Sequence, residues 1–229
     1  MDASRMFRLT LAACAAHAAI LVPAVAHAAE EDANIWLAQT ATADLGGDMV
    51  LWLEAQERFT NDASRLGQLL VRPAVGYKLD KTTTVFFGYA YVMTDPVGPV
   101  RTNEHRVFQQ LSFRVAGNGK GVTVTGRTRL EQRFLEEQPG TAWRLRQQLR
   151  VTAPLSGKVR AVAWTEPFIG LNQTGFQRSG LGLWRNFAGV AVPLGKRFTL
   201  EPGYLNQYVV RGGPDRIDHA ASLTIAANF

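Results

Sequence analysis

Two histidines lie beyond residue 28, His105 and His219, and acid–base chemistry would have to start from them. A lipid or ester hydrolase needs a serine activated by a histidine, with a third group orienting the ring. In an extended chain successive side chains point to opposite faces. Ser112 and Ser222 have the parity opposite to the neighbouring histidine, so neither hydroxyl shares a face with its ring. No Gly-x-Ser-x-Gly occurs. His, Asp and Glu do not cluster at metal-ligand spacing, and Asp44, Asp48, Asp215 and Asp218 read as turn residues. Cys14 is the only cysteine and falls in the N-terminal segment, which leaves no disulfide, thiolate ligand or cysteine nucleophile in the remainder. Gly117–Gly121 lacks the strand–loop–helix context of a phosphate loop. The expectation is a protein with no cofactor, no metal and no catalytic set.

The charged side chains are more informative, because they alternate. Thr123, Thr125, Arg127, Arg129, Glu131 and Arg133 share one parity, while Val122, Val124, Leu130 and Phe134 share the other. Arg144, Arg146, Gln148 and Arg150 oppose Trp143, Leu145, Leu149 and Val151; Glu54, Gln56 and Arg58 oppose Leu51, Leu53, Ala55 and Phe59. A helix would scatter these charges around its circumference, whereas a strand sets them in one row. With Arg72, Glu104, Arg106, Arg114, Arg160, Glu166 and Glu201 added, they make one polar face rich in arginine. Were that face turned into a narrow barrel, the charges would have to pair, since buried charge is tolerated only when compensated. Arginine forks suit carboxylates. The first expectation is therefore a ladder of Arg–Glu pairs that plugs the interior. Arginines outnumber acids, so the second is a constriction that prefers anions.

The elements that must position these rows are strands. Segments start near Ile35, Met49, Leu69, Thr84, Glu104, Val122, Ala142, Val159, Leu181, Phe198 and His219. Short Gly/Asp/Lys turns (Gly46-Gly47-Asp48, Asp80-Lys81, Gly117-Asn118-Gly119, Ser156-Gly157-Lys158, Gly195-Lys196) alternate with longer links near 61–68, 95–103, 136–141, 172–180 and 211–218. A soluble sandwich and a membrane barrel both alternate, with opposite sense. Three features favour the barrel: the length of the segments, the alternation of loop lengths, and aromatics near the strand ends of the apolar faces, namely Trp36, Tyr77, Trp143, Tyr204 and Tyr208. The expected fold is all-β, an antiparallel up-and-down transmembrane β-barrel of 10 to 12 strands. Eleven segments sit uneasily with the even strand number of bacterial barrels; ten is preferred, with Ile35–Leu45 the segment in doubt.

The chain ends point the same way. Arg5 and Arg8, an apolar run from Leu9 to Val25, and Ala26-His27-Ala28 before Glu30-Glu31-Asp32 have the order of a secretory signal peptide. The expected organisation is a signal peptide over 1–28 and a barrel over 29–229, in the outer membrane of a Gram-negative-type envelope. Leu11-Ala12-Ala13-Cys14 also fits a lipoprotein cleavage box, which is kept as the minor alternative. His219 to Phe229 alternates and stops on an aromatic, resembling the signal read by the outer-membrane barrel assembly machinery. The net charge of +6 could suggest nucleic acid, but an exported chain seldom meets it. Outer-membrane lipids and lipopolysaccharide phosphates are the expected neighbours. Two other functions stay open: an outer-membrane lipid-modifying enzyme and a soluble periplasmic β-sandwich that binds a ligand.

A set of short motifs occurs in a fixed order: Trp52-x-Glu54-x-Gln56-x-Arg58-Phe59, Glu104-His105-Arg106 with Gln109-Gln110, Arg127-x-Arg129-Leu130-Glu131-x-Arg133-Phe134, Arg144-Leu145-Arg146, Glu166-Pro167-Phe168, Arg178 with Gly180-Leu181-Gly182, Glu201-x-Gly203-Tyr204 with Gln207, and His219. This resembles the domain-of-unknown-function 2490 family of exported bacterial proteins. The resemblance covers nearly all of the chain beyond residue 28 and implies an outer-membrane-barrel-like fold without an established activity. The family's usual asparagine before the Arg178 position is Gln177 here. The candidate lumen network, and possible anion site, is Glu54, Arg58, Glu104, Arg106, Arg127, Arg129, Glu131, Arg133, Arg144, Arg146, Glu166, Arg178 and Glu201.

Overall fold

The computed structural model describes residues 29–98 and 100–229, and the segment read as a signal peptide, Cys14 included, lies outside the described residues. Eleven strands follow in order: β1 (Glu30–Gly46), β2 (Met49–Thr60), β3 (Arg65–Lys78), β4 (Thr83–Thr94), β5 (Thr102–Ala116), β6 (Thr123–Leu135), β7 (Ala142–Ser156), β8 (Val159–Gly170), β9 (Gly180–Leu194), β10 (Phe198–Val209) and β11 (Arg216–Asn228). They close into one barrel in sequence order.

Every segment read from the sequence is a strand, so the preference for ten is corrected to eleven. Ile35–Leu45 belongs to a full-length strand, β1, of 17 residues. Strands that alternate up and down return to an antiparallel neighbour only when their number is even. With eleven, the last strand runs in the direction of the first, and the seam is parallel. β1 and β11 pair from Glu30↔Arg216 to Thr42↔Asn228, while all other neighbours are antiparallel. Phe229 closes the seam, its N–H donating to the Thr42 carbonyl at 2.9 Å. Odd-stranded membrane barrels have precedent outside bacteria.

Odd parity also puts Glu30 and Phe229 at opposite rims. Glu30 stands at the rim whose connections are four to nine residues long; Phe229 stands at the rim whose turns are two to six residues long. The first of the two tightest turns, between β1 and β2, shows why glycine is there. Gly47, the first of the two loop residues, has φ of 58°, the positive φ that a two-residue hairpin with the twist of its strands favours there, and Gly46, at φ 99°, follows the register shift between Asp44 and Gly46. At the other rim Asn61, Asp62 and Ala63 are left-handed without being glycine, a strained run costing of order 1–3 kcal/mol per residue. It is held by Asp32 of β1, whose carboxylate accepts the N–H groups of Asn61 and Asp62 at 3.2 and 2.9 Å.

The two walls of the barrel have inverted polarity relative to a soluble domain. Leu53, Val71, Val75, Phe87, Leu149, Trp184 and Ile225 are exposed on the outside. Arg58, Arg72, Glu104, Arg106, Arg129, Glu131, Arg146 and Glu166 are buried inside. The interior also holds aromatics, and these demand small neighbours. Phe187 lies against Gly189 and Gly203; a Cβ at Gly203 would come within 2.4 Å of the ring. Trp36, expected in an outer aromatic girdle, is corrected to this inner cluster with Val162, Phe187, Leu205 and Ala220. Its neighbours Ile35 and Leu37 take the outward parity, and Trp36 pairs in register with Arg58, whose guanidinium covers its ring at 4.1 Å.

Candidate functional site

The lumen is organised around carboxylates that each gather arginines from neighbouring strands. Glu131 on β6 accepts from Arg144 and from Arg146 (2.9 Å), with Arg129 at 3.9 Å. Glu166 on β8 accepts from Arg146 (2.9 Å) and Arg127 (2.8 Å). Glu104 on β5 receives Arg106 at 2.7 Å and Arg133 at 2.6 Å. Glu54 pairs with Arg72, Glu201 with Arg150, and Asp218 with Arg216 at 2.7 Å. Arg146 thereby bridges two carboxylates, and the pairs tie neighbouring strands from β5 to β8, with Arg127–Glu166 reaching from β6 to β8 and Arg150–Glu201 from β7 to β10.

Packing at the centre is dense. Arg129 is 0 % exposed, and Glu131 and Glu166 are each 1 % exposed. Arg129, Glu131 and Glu166 thus fill the middle of the lumen along β6 and β8. Aromatic faces complete the solvation of the guanidiniums. Phe108 lies 4.7 Å from Arg129, and Phe168 lies 4.1 Å from Arg146 and 4.7 Å from Arg185, distances at which the ring quadrupole attracts a cation.

On either side of this layer there is room. A cavity of about 340 Å³ opens toward the long-loop rim, and one of about 290 Å³ lies deeper, near Gln148, Glu201 and Thr224. Arg58, Arg72, Arg146 and Arg185 line both. Among the described residues Arg58 and Arg185 have no carboxylate partner. Arg58 is held by the side-chain oxygens of Gln68 (2.6 Å) and Gln56 (2.5 Å), and Arg185 by that of Gln207 (2.8 Å).

The structure assembles most of the residues read from the sequence and corrects three positions. Glu54, Arg58, Glu104, Arg106, Arg127, Arg129, Glu131, Arg133, Arg144, Arg146, Glu166 and Glu201 all point into the lumen. Arg178 does not belong to the network: it sits exposed in the 171–179 link and donates to the Arg211 carbonyl, because β8 ends at Gly170 before reaching it. Gln177 takes that place, accepting from Arg133 at 3.0 Å. Arg114 is exposed near the short-turn rim, beside a bulge at Arg114/Ala116. Asp218, read as a turn residue, lies inside β11 and is buried, accepting from Gln207 and Arg216. Arg185 and Gln207 are lumen groups that no charged row in the sequence marks. Their parity with Phe187 and Leu205 was the available signal, but β9 and β10 carry too few other charges to make a row.

The histidines face outward, as their parity implies. His105 Nδ1 meets the Tyr89 hydroxyl, and its Nε2 lies 3.1 Å from Glu136. The Asn103 amide and then the His105 ring hold the Glu136 carboxyl below its ordinary range. His219 Nδ1 meets the Tyr204 hydroxyl in the same way. No serine hydroxyl bonds either ring among the described residues. Ser112 points inward and accepts from Gln110 at 2.9 Å, and Ser222 lines the deeper cavity. The two Tyr–His pairs are thus cross-strand clasps near the long-loop rim.

A closed barrel with an apolar outer wall and an arginine-rich lumen defines the class. The chain belongs to the family described as protein of unknown function (DUF2490), whose profile matches residues 33–218. It is similar to an uncharacterized protein of Methylorubrum extorquens, 36% identical over 204 residues, which cover 87% of this chain and 89% of that protein. No solved structure matches the chain.

Proposed function

We propose that this protein is an outer-membrane β-barrel, closed in its resting form, whose interior is a structural charge network rather than an open passage. The observation that carries the reading is the inverted polarity of the walls. Exposing Phe87 at 63% and Leu149 at 45% while burying Arg129 and Glu131 is unfavourable in water but favourable in a bilayer. The strands, 12 to 17 residues long, meet the requirement of about 9–11 for a tilted crossing. The short turns then face the periplasm and the long links face outward, next to lipopolysaccharide. β11, with Phe229 directly after it, serves as the segment that the barrel assembly machinery engages.

Two measurements test this. The protein should fractionate with outer membranes and show heat-modifiable gel mobility; recovery in the soluble periplasmic fraction would refute the reading. In planar bilayers the folded barrel should give no sustained conductance. Stable single-channel steps would contradict the plug and favour a channel.

A further inference from the structure

We propose that the rim-side cavity of the lumen is a binding site for a small soluble anion of the phosphate class, held by Arg58 and Arg185. The inference rests on the barrel reading above and assigns that lumen a ligand. Of the nineteen residues lining this cavity, eight are arginine and one, Glu104, is acidic. Glu104 is already shared by Arg106 and Arg133. The other acids that reach these arginines, Glu54, Glu131, Glu166 and Asp218, do not line this cavity and are each paired with an arginine.

Arg58 and Arg185 form the unpaired part. Both guanidiniums crowd the same ring, 4.1 and 4.9 Å from the centroid of Trp36. Arg58 is 9% exposed, and its Nε is buried without a partner. Arg185 uses only Nε, toward Gln207; neither terminal nitrogen meets a protein acceptor among the described residues. Two cations brought together in a buried site without a counter-ion are costly. The missing charge can come from solution, because the cavity shares Arg58, Gln68, Thr94, Gln207 and Arg216 with a vestibule at the long-loop rim, whose own lining also carries Glu30, Glu31, Asp32, Asp62 and Asp218.

The chemistry of the site selects the ligand. Guanidinium forks match tetrahedral phosphate oxygens in pairs, and several forks at once suit a dianion better than a halide. The volume of about 340 Å³ is at the lower end of small-molecule sites. It leaves room beside the phosphate for a compact organic group. Phe168, Phe176 and Leu183 provide the apolar wall against which that group would lie.

The test is a thermal-unfolding and calorimetric titration of the full barrel, purified from outer membranes in detergent and in sodium chloride buffer, with pyrophosphate and with glucose 6-phosphate. Wild type should bind saturably and unfold at a higher temperature when either is present. Arg185→Gln and Arg58→Gln should each weaken binding at least tenfold. They should also unfold at or above the wild-type temperature in the absence of phosphate, since each removes an uncompensated charge. Arg150→Gln, at the deeper cavity, should bind as wild type does. Should one arginine variant fail to fold, the other and the wild-type titration still decide. Displacement of pyrophosphate by lipid A would identify a lipid-borne phosphate as the source; indifference to lipid A, with glucose 6-phosphate bound, would identify a soluble one. A heat-modifiable barrel that binds neither probe, or whose two variants bind equally well, overturns the site while leaving the barrel reading intact.

Discussion

Glu131→Gln is expected to destabilise the barrel by about 3–5 kcal/mol, the loss typical when one partner of a buried ion pair is removed and the other charges stay. Glu131 has two close arginine partners, Arg144 and Arg146, with Arg129 nearby, and glutamine neutralises none of them. Against a total stability of order 5–15 kcal/mol, the variant should lose folded, heat-modifiable protein well before wild type along a urea series. Glu201→Gln is the comparison. Glu201 pairs with Arg150 alone, in a more exposed part of the lumen, and its loss should be clearly smaller. Equal effects would mean that the central layer is not the stabilising core described above.

The second large effect concerns the outer wall. Leu149 lies at the middle of β7 and is exposed. Leu149→Arg should cost roughly 2–4 kcal/mol in lipid vesicles, the midplane penalty for a lipid-facing cation, whereas Val115→Arg, close to the short-turn rim, should cost only about 0–1. On a water-exposed wall both would fall within about ±0.5 kcal/mol. Depth dependence is therefore the signature to look for in urea unfolding from vesicles. Two equal and small effects would place this face in water.

Much of this architecture could be read from residue order because strand parity is local. The row Arg127, Arg129, Glu131 and Arg133 announces one face of β6 without any partner in view, and the starts of β2, β7, β8 and β10 fall at Met49, Ala142, Val159 and Phe198 as the turns imply. What local pattern does not contain is closure. The parallel pairing of β1 with β11 joins segments from the two ends of the barrel, and β1 is so rich in alanine and threonine that its full crossing is hard to see. Trp36 illustrates a second blind spot. Aromatic residues suit a lipid girdle and a cation-lined lumen equally well, and only the register with Arg58 decides. Arg185 and Asp218 illustrate a third: a single charge between apolar or turn-like neighbours forms no row, so its role appears only when Arg58, Gln207 and Arg216 are brought beside it. The paired carboxylates were legible as residue types, but which arginines stay unpaired depends on side-chain geometry across several strands.

The claim on which the account depends is that the outer wall meets lipid while the lumen does not, and the five tryptophans report on it. Trp143 and Trp184 are exposed on the outer wall; Trp36, Trp52 and Trp164 line the lumen. Fluorescence of the folded protein in vesicles of brominated phospholipid should be partly quenched, and the quenchable part should vanish in the double variant Trp143→Phe, Trp184→Phe. Absence of quenching in wild type, or quenching that survives the double variant unchanged, would contradict the account.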